Sequence, residues 1–238
     1  MSTLSARLQH INWPQERQTL LQNGYTVIPS ILNLNETAAI CALYDQDDLF
    51  RKTVVMDQHG YGMGTYRYFS YPLPQPIEQL RAEIYPEIVA VANTWMEQLQ
   101  QDVRYPASFE NFRQQCRDTG QSLPTALLLR YETGGYNALH QDLYGQLFFP
   151  MQMVFMLDEQ GTDFEGGLFV LLEQKDEHES KPIVLEAPKG SLIIFTTNFK
   201  ATRVQDGYTA TKMQHGVSVV QRGIRRTLGI IFHDAKAK

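Results

Sequence analysis

Two hydrophobic patterns divide the chain. In the first half, apolar residues recur at helical steps: Ile77, Leu80, Ile84, Ile88, Val91, Trp95 and Leu99 follow one another three or four residues apart, along one face of a helix that begins after Pro76. Pro86 lies inside this run and predicts a kink or a break after Tyr85. Shorter helices are expected over about residues 15–22, stopped by Asn23-Gly24, over residues 36–44 with Asn35 as cap, and over 108–117 before Gly120. Between the first two, Tyr25–Ile28 has the character of a strand ended by Pro29.

After Pro124 the spacing changes. Short apolar or alternating segments follow one another at 126–131, 151–157, 167–172, 183–186, 191–196, 215–220 and 227–232, with Gly, Pro, Asn or Asp in most gaps. Strands so spaced predict an antiparallel sandwich or barrel. The expected architecture is one α+β domain over 1–238, with 1–123 mainly helical support plus N-terminal strands and 124–235 the β-core. The helices should cover one outer face.

Composition narrows the class. With 238 residues, 43% hydrophobic and 20% charged, the chain can build a sizeable core and is not a disordered segment. No apolar run approaches the roughly 18–20 residues needed to cross a bilayer, so no membrane partner is expected. The opening MSTLSARLQHINWP lacks the apolar region of a secretory leader, and Cys41 and Cys116 are too few for a disulfide scaffold. A cytoplasmic location is expected. The net charge of −5 is uneven: from Lys200 onward eight basic residues face two acidic ones. Such an end is either a solvated face or a local anion site.

Candidate chemistry starts with six histidines. His140 alone has a carboxylate two residues on, in His140-Gln141-Asp142. At a strand end, alternation points both side chains to one side, where they can share a metal ion. A third ligand could come from His215, in a strand-like segment. Two imidazoles and a carboxylate on one face of an octahedron form the facial triad of non-haem Fe(II) oxygenases. An isolated H-x-D is a weak signal, and a strand histidine is more often a packed residue than a ligand. Arg225 follows His215 by ten residues, and Tyr131 precedes His140 by nine across the Gly134-Gly135 turn. Guanidinium and phenol converging on one carboxylate would make a dicarboxylate pocket. Taken singly, Tyr131 suits a half-buried core position and Arg225 a surface charge. Arg226 should point to the opposite side from Arg225, as a structural or surface group. His233 suits a hydrogen-bonded structural role, and His59 and His178 suit loops. Tyr136 and Tyr144 are candidates for the pocket wall.

The set Tyr131, His140-x-Asp142, Gly166-Gly167, His215 and Arg225 resembles the prolyl-hydroxylase-like Fe(II)/2-oxoglutarate oxygenases. The stretches LHQDLYG, DFEGGLFVLLEQ and QHGVS…LGIIFHDA resemble, more narrowly, a bacterial group of that superfamily proposed to act on damaged nucleic acid. Gln214 stands where that group usually has arginine, and Val219 where many superfamily members have proline. The likeness extends over about residues 20–235, including GMGTYRYFSYPLP. It implies a double-stranded β-helix (jelly-roll) core with the N-terminal helices packed on one face. It implies Fe(II) held by His140, Asp142 and His215, 2-oxoglutarate as co-substrate held at its far carboxylate by Arg225 and Tyr131, and O2. The implied reaction is hydroxylation of a C–H bond with release of succinate and CO2, on a peptidyl or amino-acid-like substrate.

Two alternatives remain open at this point. The same chemistry could demethylate an alkylated nucleobase, with charge from Lys200, Arg203, Lys212 and Arg222 and stacking from Tyr66, Tyr68, Phe69 and Tyr71. Or the chain could be a jelly-roll binding protein without turnover, which loss of a ligand or of the arginine would favour; all are present.

Overall fold

In the computed structural model, which describes residues 2–142, 145–175 and 179–236, the first three helices begin at capping side chains. Helix α1 is Leu4–Gln9, α2 Trp13–Asn23, α3 Leu34–Ala42, α4 Gln75–Gln98 and α5 Phe109–Asp118. Helix α2 starts two residues earlier than expected because the Asn12 side chain accepts from the Gln15 N–H, with Pro14 in the first turn, where a missing N–H costs nothing. It stops at Gly24, whose φ of 79° suits a residue without Cβ. The cap of α3 is Asn33 rather than Asn35. Asn33 accepts from the Glu36 N–H at 3.0 Å while the Glu36 carboxylate accepts from the Asn33 N–H at 2.8 Å. Asn35 has Ala38 at the matching position and cannot close such a box.

Helix α4 runs unbroken through Pro86. The lost backbone hydrogen bond and ring clash cost about 3 kcal/mol. Six large residues of its inner face (Ile77, Leu80, Ile84, Ile88, Val91 and Trp95) are buried, at about 1.5–3 kcal/mol each, and burial wins.

The strands, in chain order, are β1 Tyr25–Ile28, β2 Phe50–Val55, β3 Gly62–Met63, β4 Thr65–Phe69, β5 Gln121–Leu123, β6 Leu127–Tyr131, β7 Tyr136–His140, β8 Met151–Met156 and β9 Phe164–Gly166. They continue with β10 Phe169–Gln174, β11 Ser180–Leu185, β12 Leu192–Thr196, β13 Phe199–Val204, β14 Gly207–Val217, β15 Val220–Gly223, β16 Arg225–Ile231 and β17 Ala235–Lys236. The YRYF segment is therefore a strand. The expected segment 215–220 divides into the end of β14 and the start of β15, which pairs with β9.

A larger antiparallel sheet has the order β1-β12-β8-β16-β6-β4-β2, and a smaller one β11-β10-β14-β7-β3, with β13 hairpinned onto β14. Alternation sorts the larger sheet's side chains. Leu128, Met151, Met153, Phe155, Leu192, Ile194, Leu228 and Ile230 pack with Leu20, Ile77, Ile88 and Trp95 of the helices. Tyr131, Val154, Met156, Ile193 and Phe195 pack with Phe169, Leu171, Met213 and Val217 of the smaller sheet. Both faces are covered, which is why β8 and β12 read as continuous apolar runs rather than alternating ones. The result is a mixed α/β fold of antiparallel sheets and few helices, with the helices against one outer face.

Candidate active site

The register between β14 and β7 sets His215 directly opposite His140 across the smaller sheet, with ring centroids 4.2 Å apart. The pairing shifts immediately afterwards, an irregularity of the kind that re-aims side chains beside active sites. Gly216 makes the close approach possible, since a Cβ there would lie 2.7 Å from the Asn137 carbonyl oxygen. Asp142 follows the end of β7. His140 Nε2 lies 3.7 Å from its Oδ1 and His215 Nε2 3.4 Å from its Oδ2.

These three groups suit a divalent cation. One donor atom from each lies within 4.8 Å of the others. Metal–ligand bonds of about 2.1 Å at right angles put neighbouring donors about 3 Å apart, so only a small contraction is needed. The His140 Nδ1 lies 2.7 Å from the Ala138 carbonyl, which can only accept. Nδ1 therefore carries the proton and Nε2 presents its lone pair. Burial, then His215, lowers the His140 pKa against the opposing charge of Asp142, keeping the ring neutral as a ligand must be. Burial alone would raise the Asp142 pKa, but the neighbouring His215 and His140 imidazoles and the Gln152 amide outweigh it. Asp142 is held well below the usual carboxylate range.

The triad opens into a cavity of about 490 Å³ between the sheets, and Arg225 and Tyr131 lie in its wall. They are cross-strand partners on β16 and β6, and both are fully buried. The guanidinium carbon lies 5.7 Å from the Tyr131 ring and 5.9 Å from that of Phe164. Gly167, at φ 57°, leaves room for the arginine stem; a Cβ there would sit 2.8 Å from Arg225 Cδ. Burial pulls the Arg225 pKa down to about 10 and pushes that of Tyr131 up to about 12, so near neutrality both remain proton donors. Among the described residues, Arg225 Nε and the Tyr131 hydroxyl have no well-formed hydrogen bond, although the Asn137 side chain lies beside the phenol, and the arginine's Nη2 reaches Met156 Sδ at 3.7 Å. A buried guanidinium and phenol with donors unmet among the described residues, facing a metal-type triad, fit a dicarboxylate.

Other expected positions separate. Arg226 points away and binds Asp158 through its backbone N–H, Nε and Nη2. Tyr66 and Tyr68 line the cavity, whereas Phe69 is core and Tyr71 donates to Asp234. Tyr136 is exposed outside the cavity wall. Tyr144 and His178 lie outside the described residues. His59 ends a short 3₁₀ turn at Met56–His59 and stacks on Tyr61, rather than lying in an open loop. The basic end does not form a groove: Lys200 is buried against Glu173 at 3.2 Å, and Arg222 pairs with Glu165 at 2.8 Å. Arg203 and Lys212 are exposed, and among the described residues Arg225 is the one Lys or Arg that lines the cavity.

Two residues of the site escaped the sequence reading. Gln141, between the two ligands, donates through Nε2 to the Asn198 and Met213 carbonyls at 2.7 and 2.9 Å, tying the turn to neighbouring backbone. Gln152, on β8, donates to Asp142 Oδ2 at 2.6 Å. A lone amide inside the apolar run MQMVFM was the available signal.

His233 is structural. It is fully buried, its Nδ1 accepts from the Phe149 N–H, and burial, then Arg81, pulls its pKa down to about 4. The unfolded chain takes up this proton near pH 6.5, before the folded one does. Stability is therefore complete above about pH 6.5 and falls as the pH drops toward 4, by about 3 kcal/mol. Thermal melts from pH 7.5 to 4.5 should show this slope, and His233→Gln should flatten it; an unchanged slope would refute the assignment.

Residues 64–235 match the family Oxygenase-NA, described as "Oxygenase, catalysing oxidative methylation of damaged DNA". The chain belongs to this oxygenase family. An uncharacterised protein of Mycobacterium tuberculosis, present in two strains, is 39% identical to this oxygenase over 167 residues, covering 70% of this chain and 72% of its own. The fold is similar to that of an oxidoreductase of the 2OG-Fe(II) oxygenase family from Burkholderia pseudomallei (TM-score 0.56, 15% identity, covering 96% of this chain and 95% of that one). It is also similar to a prolyl hydroxylase from Trichoplax adhaerens in complex with a hypoxia inducible factor peptide fragment (TM-score 0.58, 12% identity, 97% and 92% covered). In this oxygenase the His-Asp-His set could hold a metal ion. Among the described residues no helix is long and apolar enough to cross a membrane.

Proposed function

We propose that this oxygenase couples oxidative decarboxylation of 2-oxoglutarate to hydroxylation of a substrate C–H bond: one oxygen atom of O2 enters the substrate, the other enters succinate, and CO2 is released. The observation that carries this reading is Arg225, a buried guanidinium that among the described residues has no carboxylate paired with it, in the same cavity as His140, Asp142 and His215. In this reading the triad holds Fe(II), Arg225 grips the far carboxylate of 2-oxoglutarate and Tyr131 donates a hydrogen bond to it. The metal, when bound, supplies the oxygen-activating chemistry. The chain's own part is to keep His140 neutral at Nε2, to fix the Asp142 carboxylate, and to keep water from the dicarboxylate pocket.

The opposed antiparallel sheets support a double-stranded β-helix core, and the helices packed on the larger sheet support one oxygenase domain over 1–238, with 124–235 its catalytic core. Two free cysteines suit the cytoplasm.

For the substrate we favour a peptidyl or amino-acid-like group, because among the described residues the cavity wall carries tyrosines and aliphatic side chains and no Lys or Arg beyond the buried Arg225. A second reading, oxidative demethylation of a damaged nucleobase, is favoured by the family description and by Tyr66 and Tyr68, which could stack on a base. Anaerobic addition of Fe(II) and 2-oxoglutarate should give a weak visible charge-transfer band, and O2 should then yield succinate. Absence of both would overturn the enzyme reading. Gain of one oxygen atom on a peptide supports the first substrate class; formaldehyde released from a methylated oligonucleotide would establish the second instead.

A further inference from the structure

We infer that Gln152 is a positioning residue for the metal centre: its side-chain amide, reaching across from the opposite sheet, sets the orientation of the Asp142 carboxylate. The inference rests on the reading of His140, Asp142 and His215 as metal ligands and adds to it a group outside the ligand set.

Gln152 lies on β8, a central strand of the larger sheet, flanked in register by Phe195 of β12 and Ile231 of β16. Every other residue of β8 is apolar, and all six are buried. A primary amide in such a strand is costly unless both its ends are satisfied, so packing alone would favour leucine or methionine there. The side chain projects from the same face as Val154, into the cavity between the sheets. There Nε2 donates to Asp142 Oδ2 at 2.6 Å. Asp142 comes from the other sheet, on the segment after β7, and its backbone turn is held separately by Gln141.

The geometry gives this bond a specific effect. A free aspartate can rotate about its last side-chain torsion, which is broad and roughly two-fold. Its two oxygens face different histidines, Oδ1 toward His140 and Oδ2 toward His215. The Gln152 donor fixes Oδ2 and thereby selects one rotamer, leaving the remaining lone pairs directed between the imidazoles. Pre-orientation of a ligand by a neighbouring hydrogen bond is worth about 10–100-fold in metal affinity. A purely structural amide would affect stability and leave metal affinity unchanged.

Calorimetric titration of Co(II) alone into metal-free protein separates the two, with melting temperature measured in parallel. Gln152→Met, nearly isosteric and without a donor, should bind Co(II) about tenfold or more weakly while melting within a few degrees of the wild type. Gln152→Leu should behave alike. Co(II) affinity equal to wild type in a folded variant would overturn the positioning role. So would failure of both variants to fold, which would make the amide a requirement of the core. If the wild type binds no Co(II), and His140→Ala matches it, the metal-centre reading itself falls and the positioning role with it. A Gln152 failure with intact wild-type binding leaves that reading standing.

Discussion

Replacing Arg225 by methionine is expected to raise the melting temperature of the protein free of 2-oxoglutarate while weakening 2-oxoglutarate binding by about 10²–10³-fold. The two effects share a cause. The guanidinium is fully buried, and among the described residues no carboxylate forms an ion pair with it; only the more distant charge of Asp158 acts on it. An uncompensated buried charge destabilises the fold, and methionine keeps most of the aliphatic stem while removing the charge. Each kcal/mol recovered should raise the melting temperature by about 2–4 °C in a chain of this size. The same charge is what a dicarboxylate would meet, and losing one partner of a buried charge pair costs about 3–4 kcal/mol of binding. Melting curves with and without 2-oxoglutarate and a divalent metal test both arms. The wild type should gain stability from the ligand and the variant should not. A variant that melts several degrees lower without ligand, or binds 2-oxoglutarate normally, would contradict the role given to Arg225.

Asp142→Ala should abolish the Fe(II)–2-oxoglutarate charge-transfer band and succinate formation together. It removes the one carboxylate of the triad and leaves two imidazoles, His140 and His215, to hold a divalent cation. The effect on the metal-free fold should be modest. Gln152 loses its acceptor, at about 1–3 kcal/mol, and the histidines keep their strand positions. Anaerobic absorption spectra and succinate measured by NMR after admission of O2 provide the check; a full-strength band in the variant would exclude Asp142 from the metal centre.

Much of the local structure follows from residues close together in the chain. The helical spacing from Ile77 to Trp95 located α4, and the apolar runs at 151–157 and 191–196 located β8 and β12. Local signals misled where two candidates compete, as Asn33 and Asn35 do for one helix start, or where burial outweighs a local preference, as at Pro86. The acidic and basic balance misled for a related reason. Lys200 counts toward the positive end of the chain, yet it is consumed in a buried pair with Glu173.

The candidate site shows the same division. His140-x-Asp142 is a local pattern, and alternation along β16 was enough to choose Arg225 over Arg226 for the cavity. The pairing of His215 with His140 is not local: it depends on the register of β14 against β7, between residues 75 positions apart in the chain. Nor could the chain alone reveal that among the described residues no carboxylate pairs with Arg225, because that is a statement about everything packed around it. Gln152 was hidden for the same reason, since its partner lies on another sheet. The sequence by itself located the main helices, the central strands and the candidate ligands, because helix and strand periodicities act within a few residues. Only the tertiary structure decided which of those faces meet, which charges are neutralised and which are left waiting for a ligand, because register and burial are properties of strands brought together from distant parts of the chain.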